Sequence, residues 1–238
     1  FPYTTLFRSH LVVEADAAVD KPAGISWDEA AGIGVPFVTA MEGLRRAGLP
    51  KPGETVLVMG VNGKVGQAAV QIASWRGARV IGVVRRSEPY EGHSNAPVEV
   101  IDASAIDVAA QVRELTGGKG ADIVFDPVGG SYAEAALRST AWEGRFLVIG
   151  FAAGDIPKIP LNLALLKGCD IRGVFWGAWA RQNPEKNRKN LEKLVQWTAE
   201  GKISSHVDRT FPLSQTAEAL KVLAGRKAMG KVILHPGS

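Results

Sequence analysis

Thr55-Val56-Leu57-Val58-Met59-Gly60-Val61-Asn62-Gly63-Lys64-Val65-Gly66 decides how the rest of the chain is read. Five residues rich in β-branched side chains end at a glycine, and the helical pattern Val65–Arg76 begins five residues after that glycine and closes at Gly77. A short apolar run, a glycine-rich turn and a helix form the first half of a βαβ unit. Glycine at Gly60, Gly63 and Gly66 lets the backbone turn tightly, approach an anion and pack helix on strand, while the helix N-terminus offers free N–H groups. The spacing is G-x-x-G-x-x-G rather than the usual G-x-G-x-x-G, so the placement between strand and helix gives the turn its meaning.

Working outward, further apolar runs occur at Arg79–Val84, Val98–Ile101, Asp122–Phe125, Arg145–Ile149 and Ile171–Phe175, each bounded by Gly, Pro or Asp. Helical patterns at Ala105–Thr116 and Tyr132–Ser139 lie between some of them. This alternation predicts an α/β fold, a Rossmann-type doubly wound parallel sheet. Glu88–Pro97, with two prolines, reads as irregular. Upstream, Leu11–Val19 reads as extended and Lys21–Gly24 as a turn. Ser26-Trp27-Asp28-Glu29 reads as a capping box, with Pro36 breaking the helix and a second helical stretch over Phe37–Ala47. Downstream, a helix over Pro184–Glu200 turns Leu191, Leu194, Val195 and Thr198 to one face. Its Lys186, Arg188, Lys189 and Lys193 read as a solvated face, and a helix capped by Ser214 and a strand Gly230–Leu234 complete the chain.

Composition narrows the function classes. Of 238 residues, 46% are apolar and 22% charged, which excludes disordered and collagen-like chains. The net charge of +4 comes without a long basic block, so no nucleic-acid partner is expected. The one cysteine, Cys169, forms no internal disulfide, and no apolar run is long enough to cross a bilayer, so the expected location is the cytoplasm, with no membrane partner. His10, His93, His206 and His235 lack ligand spacing, and no metal is expected. Phe1–Ser9 matches what a common sequencing-library adapter encodes and is set apart from the fold as foreign, the alternative being a native strand.

At the end of the second strand, where an NAD site carries an acidic residue for the ribose 2′-hydroxyl, stand Arg85, Arg86 and Ser87. Two guanidinium groups and a hydroxyl suit a 2′-phosphate, which points to NADP(H) over NAD(H). Asp126-Pro127-Val128-Gly129-Gly130 and Gly150-Phe151-Ala152-Ala153-Gly154 follow the fourth and fifth strands at the edge where open α/β sheets bind ligands; either could also be an ordinary loop. A methyltransferase shares the glycine turn but needs an acidic residue where Arg85 stands.

Thr55–Gly66, Ala121–Gly130 ("ADIVFDPVGG"), Gly144–Gly150 ("GRFLVIG"), Ile156–Gly168 ("IPKIPLNLALLKG") and Gly173–Gly177 ("GVFWG") together resemble the zinc-free NADPH:quinone oxidoreductases, zeta-crystallin-like members of the medium-chain dehydrogenase/reductase superfamily. The resemblance implies a cofactor domain set into a chaperonin-10-like catalytic domain. On this reading residues 10–47 are the end of that domain, with its closing strand and the connecting helices, 48–203 the NADP-binding domain, and 204–238 the return to the catalytic domain, whose larger N-terminal part the chain lacks. It implies hydride transfer from NADPH to a quinone or related enone, the alternative being an NADP(H)-binding module without efficient turnover; no catalytic residue is identified. It further implies cofactor contacts at Thr39, Gly63, Lys64, Val65, Val128, Gly129, Gly150, Phe151, Val174, Phe175 and Arg226. Lys64 replaces a frequent glycine, and Ala103 a frequent tyrosine near the adenine. Asp170–Phe175, as an unpaired last strand, implies a two-fold homodimer joined edge to edge, with Trp176 and Trp179 near the contact.

Overall fold

The computed structural model describes residues 9–85, 98–104, 107–225 and 228–236. Six strands, β1 (Thr55–Met59), β2 (Arg79–Val84), β3 (Val98–Asp102), β4 (Ala121–Asp126), β5 (Thr140–Val148) and β6 (Asp170–Gly173), form one sheet in the order β3-β2-β1-β4-β5-β6. Every adjacent pair is parallel. The doubly wound α/β architecture expected from the alternation is present, and the strand order reverses between β1 and β4, the position at which such sheets open a crevice.

Burial explains the sheet. All five residues of β1 are buried, as a parallel strand covered on both faces requires. On one face Val56, Val58, Ile123, Phe125 and Leu147 pack with α1 (Trp27–Arg46), α2 (Lys64–Trp75) and α7 (Pro184–Ala199). On the other, Leu57, Ile81, Val124 and Phe146 pack with α3 (Val108–Leu115), α4 (Ala133–Arg138) and α5 (Asn162–Lys167). Each fully buried aliphatic side chain contributes about 1.5–3 kcal/mol of transfer free energy.

α1 departs from the expected break. Its capping box is formed, with Glu29 N–H donating to Ser26 Oγ at 3.1 Å and Ser26 N–H to Glu29 Oε2 at 3.0 Å, but the helix then runs unbroken through Pro36. An interior proline costs about 3 kcal/mol. That cost is offset by burying Ile33, Phe37, Val38, Ala40, Met41 and Leu44 against the sheet and α2. Residues 11–19 are likewise corrected: the segment joins no sheet among the described residues, contains a short 3-10 turn at Ala15–Ala17, and exposes Leu11 and Val12.

Three further differences follow from local geometry. β5 starts at Thr140, ahead of the apolar run, where an irregular register opposite Ala121 and Ile123 and a left-handed Glu143 (φ 57°) break the alternation. β6 ends at Gly173, so Phe175 belongs to the start of α6 (Trp176–Gln182) instead of a strand. In the tail, β7 (Val207–Pro212) and β8 (Lys231–His235) form a parallel pair, connected by α8 (Thr216–Ala224). Ser214 lies in a 3-10 turn ahead of α8 and does not cap it. Gln71 ties this tail to α2, donating to Ser204 O at 2.9 Å and accepting from Ser204 N–H at 2.8 Å.

Candidate functional site

At the carboxyl end of β1 the chain turns over Gly60, whose φ is +63°, and Gly63 N–H donates back to Gly60 O at 2.9 Å before α2 begins. Gly66 sits one helical turn above. A Cβ built there would lie 2.4 Å from Gly60 O, and one on Gly60 would lie 2.6 Å from Val128 Cγ2. Both glycines are therefore required by contact, and the turn offers bare backbone N–H groups at a helix start. Asn62 Oδ1 is shielded from solvent and accepts no hydrogen bond among the described residues, which leaves an open acceptor in the turn.

Asp126 organises the neighbouring loop. Its Oδ1 accepts from Val128 N–H at 2.8 Å and from Gly129 N–H at 2.9 Å, while its backbone carbonyl accepts from Ile149 N–H at 2.9 Å. Burial raises the Asp126 pKa above the usual carboxyl range, and the two N–H donors pull it the other way. Gly129 in turn packs on Phe151, a Cβ there falling 2.7 Å from Phe151 Cδ1. A chain of close contacts thus links Gly60, Val128, Gly129 and Phe151 across the ends of β1, β4 and β5.

Beyond Phe151 the edge opens into a cleft of about 570 Å³, with Arg46, Gly150, Phe151, Val174, Phe175 and Trp179 among its walls. Four residues singled out from the sequence, Gly150, Phe151, Val174 and Phe175, meet in this cleft. Arg46 was not foreseen. It comes from the end of α1 and donates to Gly173 O, a contact between residues distant in sequence that no local pattern announces. Asp126 had a signal, an Asp-Pro pair at a strand end, which marks a turn.

The other expected residues are distributed as follows. Val65 is half-buried against the core. Lys64 is half-buried between α2 and the tail, where burial lowers its pKa and Asp208 opposes that shift, and Lys231 nearby is lowered by burial and by Lys64. Thr39 is buried on α1 and is not among the cleft residues. Arg85 is exposed just past the end of β2, one strand from the glycine turn. Arg86, Ser87 and Arg226 lie outside the described residues.

A reduced dinucleotide fits this edge: the glycine turn admits a pyrophosphate, the open Asn62 acceptor can take a hydroxyl, and the cleft offers aromatic and backbone surface. Zinc does not fit equally: among the described residues no cluster of three or more His, Cys, Asp and Glu side chains is placed to hold a metal ion. No helix among the described residues is long and apolar enough to cross a membrane.

Comparison with known proteins gives a consistent set of similarities. Residues 65–199 match the zinc-binding dehydrogenase family. The chain is 33% identical over 216 residues to a quinone oxidoreductase-like protein 2 homolog of Nematostella vectensis, covering 90% of this chain and 59% of that protein. It is 34% identical over 215 residues to quinone oxidoreductase-like protein 2 of Bos taurus, covering 90% of this chain and 62% of that one. A quinone oxidoreductase structure from Pseudomonas syringae pv. Tomato superposes with a TM-score of 0.82 at 29% identity, covering 92% of this chain and 67% of that one. The chain thus spans about three-fifths of the length of these two curated relatives.

Proposed function

The chain belongs to the zinc-binding dehydrogenase family, and from that premise we propose that it is an oxidoreductase that binds NADP(H) along the carboxyl edge of its sheet and reduces a quinone or related α,β-unsaturated carbonyl compound. The observation that carries this reading is the glycine turn at the β1–β4 reversal, joined by close contacts through Val128 and Gly129 to the cleft at Phe151. Backbone N–H groups at Lys64 to Gly66 receive the pyrophosphate, where the dipole of α2 favours negative charge. Arg85, followed in the sequence by Arg86 and Ser87, is assigned to the 2′-phosphate. Thr39, Lys64 and Arg226 are assigned as further contacts on the strength of the resemblance.

When bound, the reduced dinucleotide supplies hydride to the electrophilic carbon of the acceptor. The chain's own work is orientation and exclusion of water: Gly150 and Val174 present backbone to the nicotinamide half, while Phe151 and Phe175 flank the acceptor with aromatic surface. No proton donor is assigned to a side chain.

Titrating the protein with NADPH and NADH while following tryptophan fluorescence, then adding 1,4-benzoquinone, tests the reading. Saturable binding that favours NADPH, followed by loss of NADPH absorbance, is expected. Absence of saturable binding overturns the proposal, and binding without oxidation leaves an NADP(H)-binding module.

The same reading extends to assembly. β6 is a sheet edge, and Trp142, Leu161, Leu165, Ile171 and Phe175 on or beside it are exposed. An unpaired edge flanked by apolar side chains suits pairing with a second copy. Light scattering at micromolar concentration should return twice the 25.3 kDa chain mass. A monomer mass would remove the dimer and leave the cofactor reading intact.

A further inference from the structure

Past the ends of β4 and β5 the two loops stay bonded to each other. Asp126 O accepts from Ile149 N–H at 2.9 Å and from Gly150 N–H at 3.4 Å, Pro127 O from Ala152 N–H at 3.1 Å, and Val128 O from Ala153 N–H at 2.9 Å. Gly130 N–H donates the other way, to Asp155 O at 3.2 Å. Residues 126–130 and 149–155 therefore form one platform at the carboxyl edge of the sheet, beside the glycine turn.

This platform contains the stretch of chain least able to hold itself. Gly129 (φ 64°, ψ −142°) and Gly130 (φ 63°) are consecutive glycines in conformations that other residues rarely adopt, and glycine loses the most backbone freedom when it is fixed. Pro127 has no N–H to contribute. What fixes Gly129 is the side chain of Asp126, a residue only 3% exposed, whose Oδ1 accepts from both Val128 N–H and Gly129 N–H. Among the described residues neither N–H has another acceptor. The fit around the loop is close as well: a Cβ on Gly130 would lie 2.8 Å from Ala153 Cβ, much as one on Gly129 would meet Phe151.

The sheet does not need this side chain. The backbone of Asp126 already joins β4 to Ile149, and both side-chain bonds go to the loop, at the edge where Val128, Gly129, Gly150 and Phe151 are assigned to the dinucleotide. Backbone set in advance is what orients a reacting ring without further ordering on binding.

We propose that Asp126 is a positioning residue for hydride transfer: through Val128 and Gly129 it fixes the backbone surface that receives the nicotinamide ring, and thereby which of the two C4 hydrogens is transferred. This rests on the dinucleotide reading above.

The test uses the full chain with NADPH carrying deuterium on one or the other face of C4, oxidised by 1,4-benzoquinone with the uncatalysed rate subtracted. Hydride passes with its electron pair from C4 to the quinone, which takes one proton from solvent, and mass spectrometry of the NADP⁺ left behind reads which hydrogen went. The fluorescence anisotropy of the bound nicotinamide is read separately, with no acceptor present. Asp126→Ala should lower the facial ratio and kcat by at least about tenfold each and lower the anisotropy, with the Kd for NADPH held within about threefold by the phosphate end of the site. Asp126→Asn, which keeps an oxygen for the two N–H groups, should recover most of the selectivity. If the void left by alanine prevents folding, Asp126→Leu fills the space without supplying an acceptor and carries the same expectation. Unchanged selectivity and anisotropy in the folded variant overturn the positioning role, as does a Kd that rises in step with the loss of kcat. A parent protein that binds NADPH but reduces no quinone overturns the reductase reading, and the anisotropy comparison then decides the role of Asp126. A parent protein that binds no NADPH overturns both.

Discussion

Gly66 and Phe175 lie at the same edge of one sheet, yet a single carbon added to Gly66 meets Gly60 O at 2.4 Å, whereas Phe175 is 73% exposed. Around the glycine turn, β1 is buried throughout and the neighbouring loop is held by the Asp126 carboxylate. Around the cleft, β6 is short and open, and aromatic rings and arginines supply the surface. In the first region shape is dictated by the fold, so a substitution acts on folding and ligand binding together. In the second, side chains can change with little effect on folding, and selectivity is free to vary.

The sharpest test of that contrast is Gly66→Ala. Forcing a Cβ against backbone should cost about 3 kcal/mol, at the upper end for overpacking, read as a lower urea midpoint with NADPH binding lost as well. An unchanged midpoint would mean that the turn relaxes and that the two regions are equally soft. Phe175→Ala is the counterpart: the urea midpoint should hold within about 0.5 kcal/mol, as for exposed positions, while the KM for the acceptor rises.

Arg85→Ala should separate cofactor choice from both. An exposed guanidinium meeting a phosphate contributes about 1 kcal/mol, so the Kd for NADPH should rise roughly fivefold with that for NADH unchanged. Equal changes for both dinucleotides would move Arg85 away from the 2′-phosphate.

The smallest effect is a pH dependence. Folding raises the Asp126 pKa, so the protonated form is favoured in the native state. Its contribution to stability is complete below the ordinary carboxyl range and is lost as pH rises through the raised value. Asp126→Asn, which keeps an oxygen for Val128 and Gly129 N–H, should flatten that part of the stability profile by less than about 1 kcal/mol. A profile identical to that of the parent protein would show that the two N–H donors already cancel the cost of burial.

Legibility in the sequence followed the same division. β1 and β2 matched their apolar runs end to end, because strands buried on both faces must be continuously apolar. The unbroken α1 was not legible, since the burial that outweighs Pro36 comes from distant segments. Nor were α5 and α6, at six and seven residues too short to show a helical period. Among the site residues, glycines required by contact announced themselves through spacing, Gly150 and Phe151 through their place at the end of β5, and Val174 and Phe175 only through the family resemblance, because the apolar run Ile171–Phe175 reads as strand throughout. Arg46 could not, because its contact with Gly173 exists only after the chain has folded. Lys64 could be placed in the turn, but its half-buried position beside Asp208 and Lys231 depends on the tail docking against α2.

One amide on α2 extends the reach of the turn. Gln67 Nε2 donates to Asn62 O within the turn and to Met229 O in the tail, both at 3.2 Å. A ligand that stiffens residues 60–63 therefore restrains, through a single side chain, the segment that leads into β8. Amide hydrogen exchange at Lys231–His235 should slow when dinucleotide binds at the turn, and Gln67→Ala should abolish that slowing while leaving exchange within β1 unaltered. The tail can thus act as a remote gauge of occupancy at the phosphate end of the site.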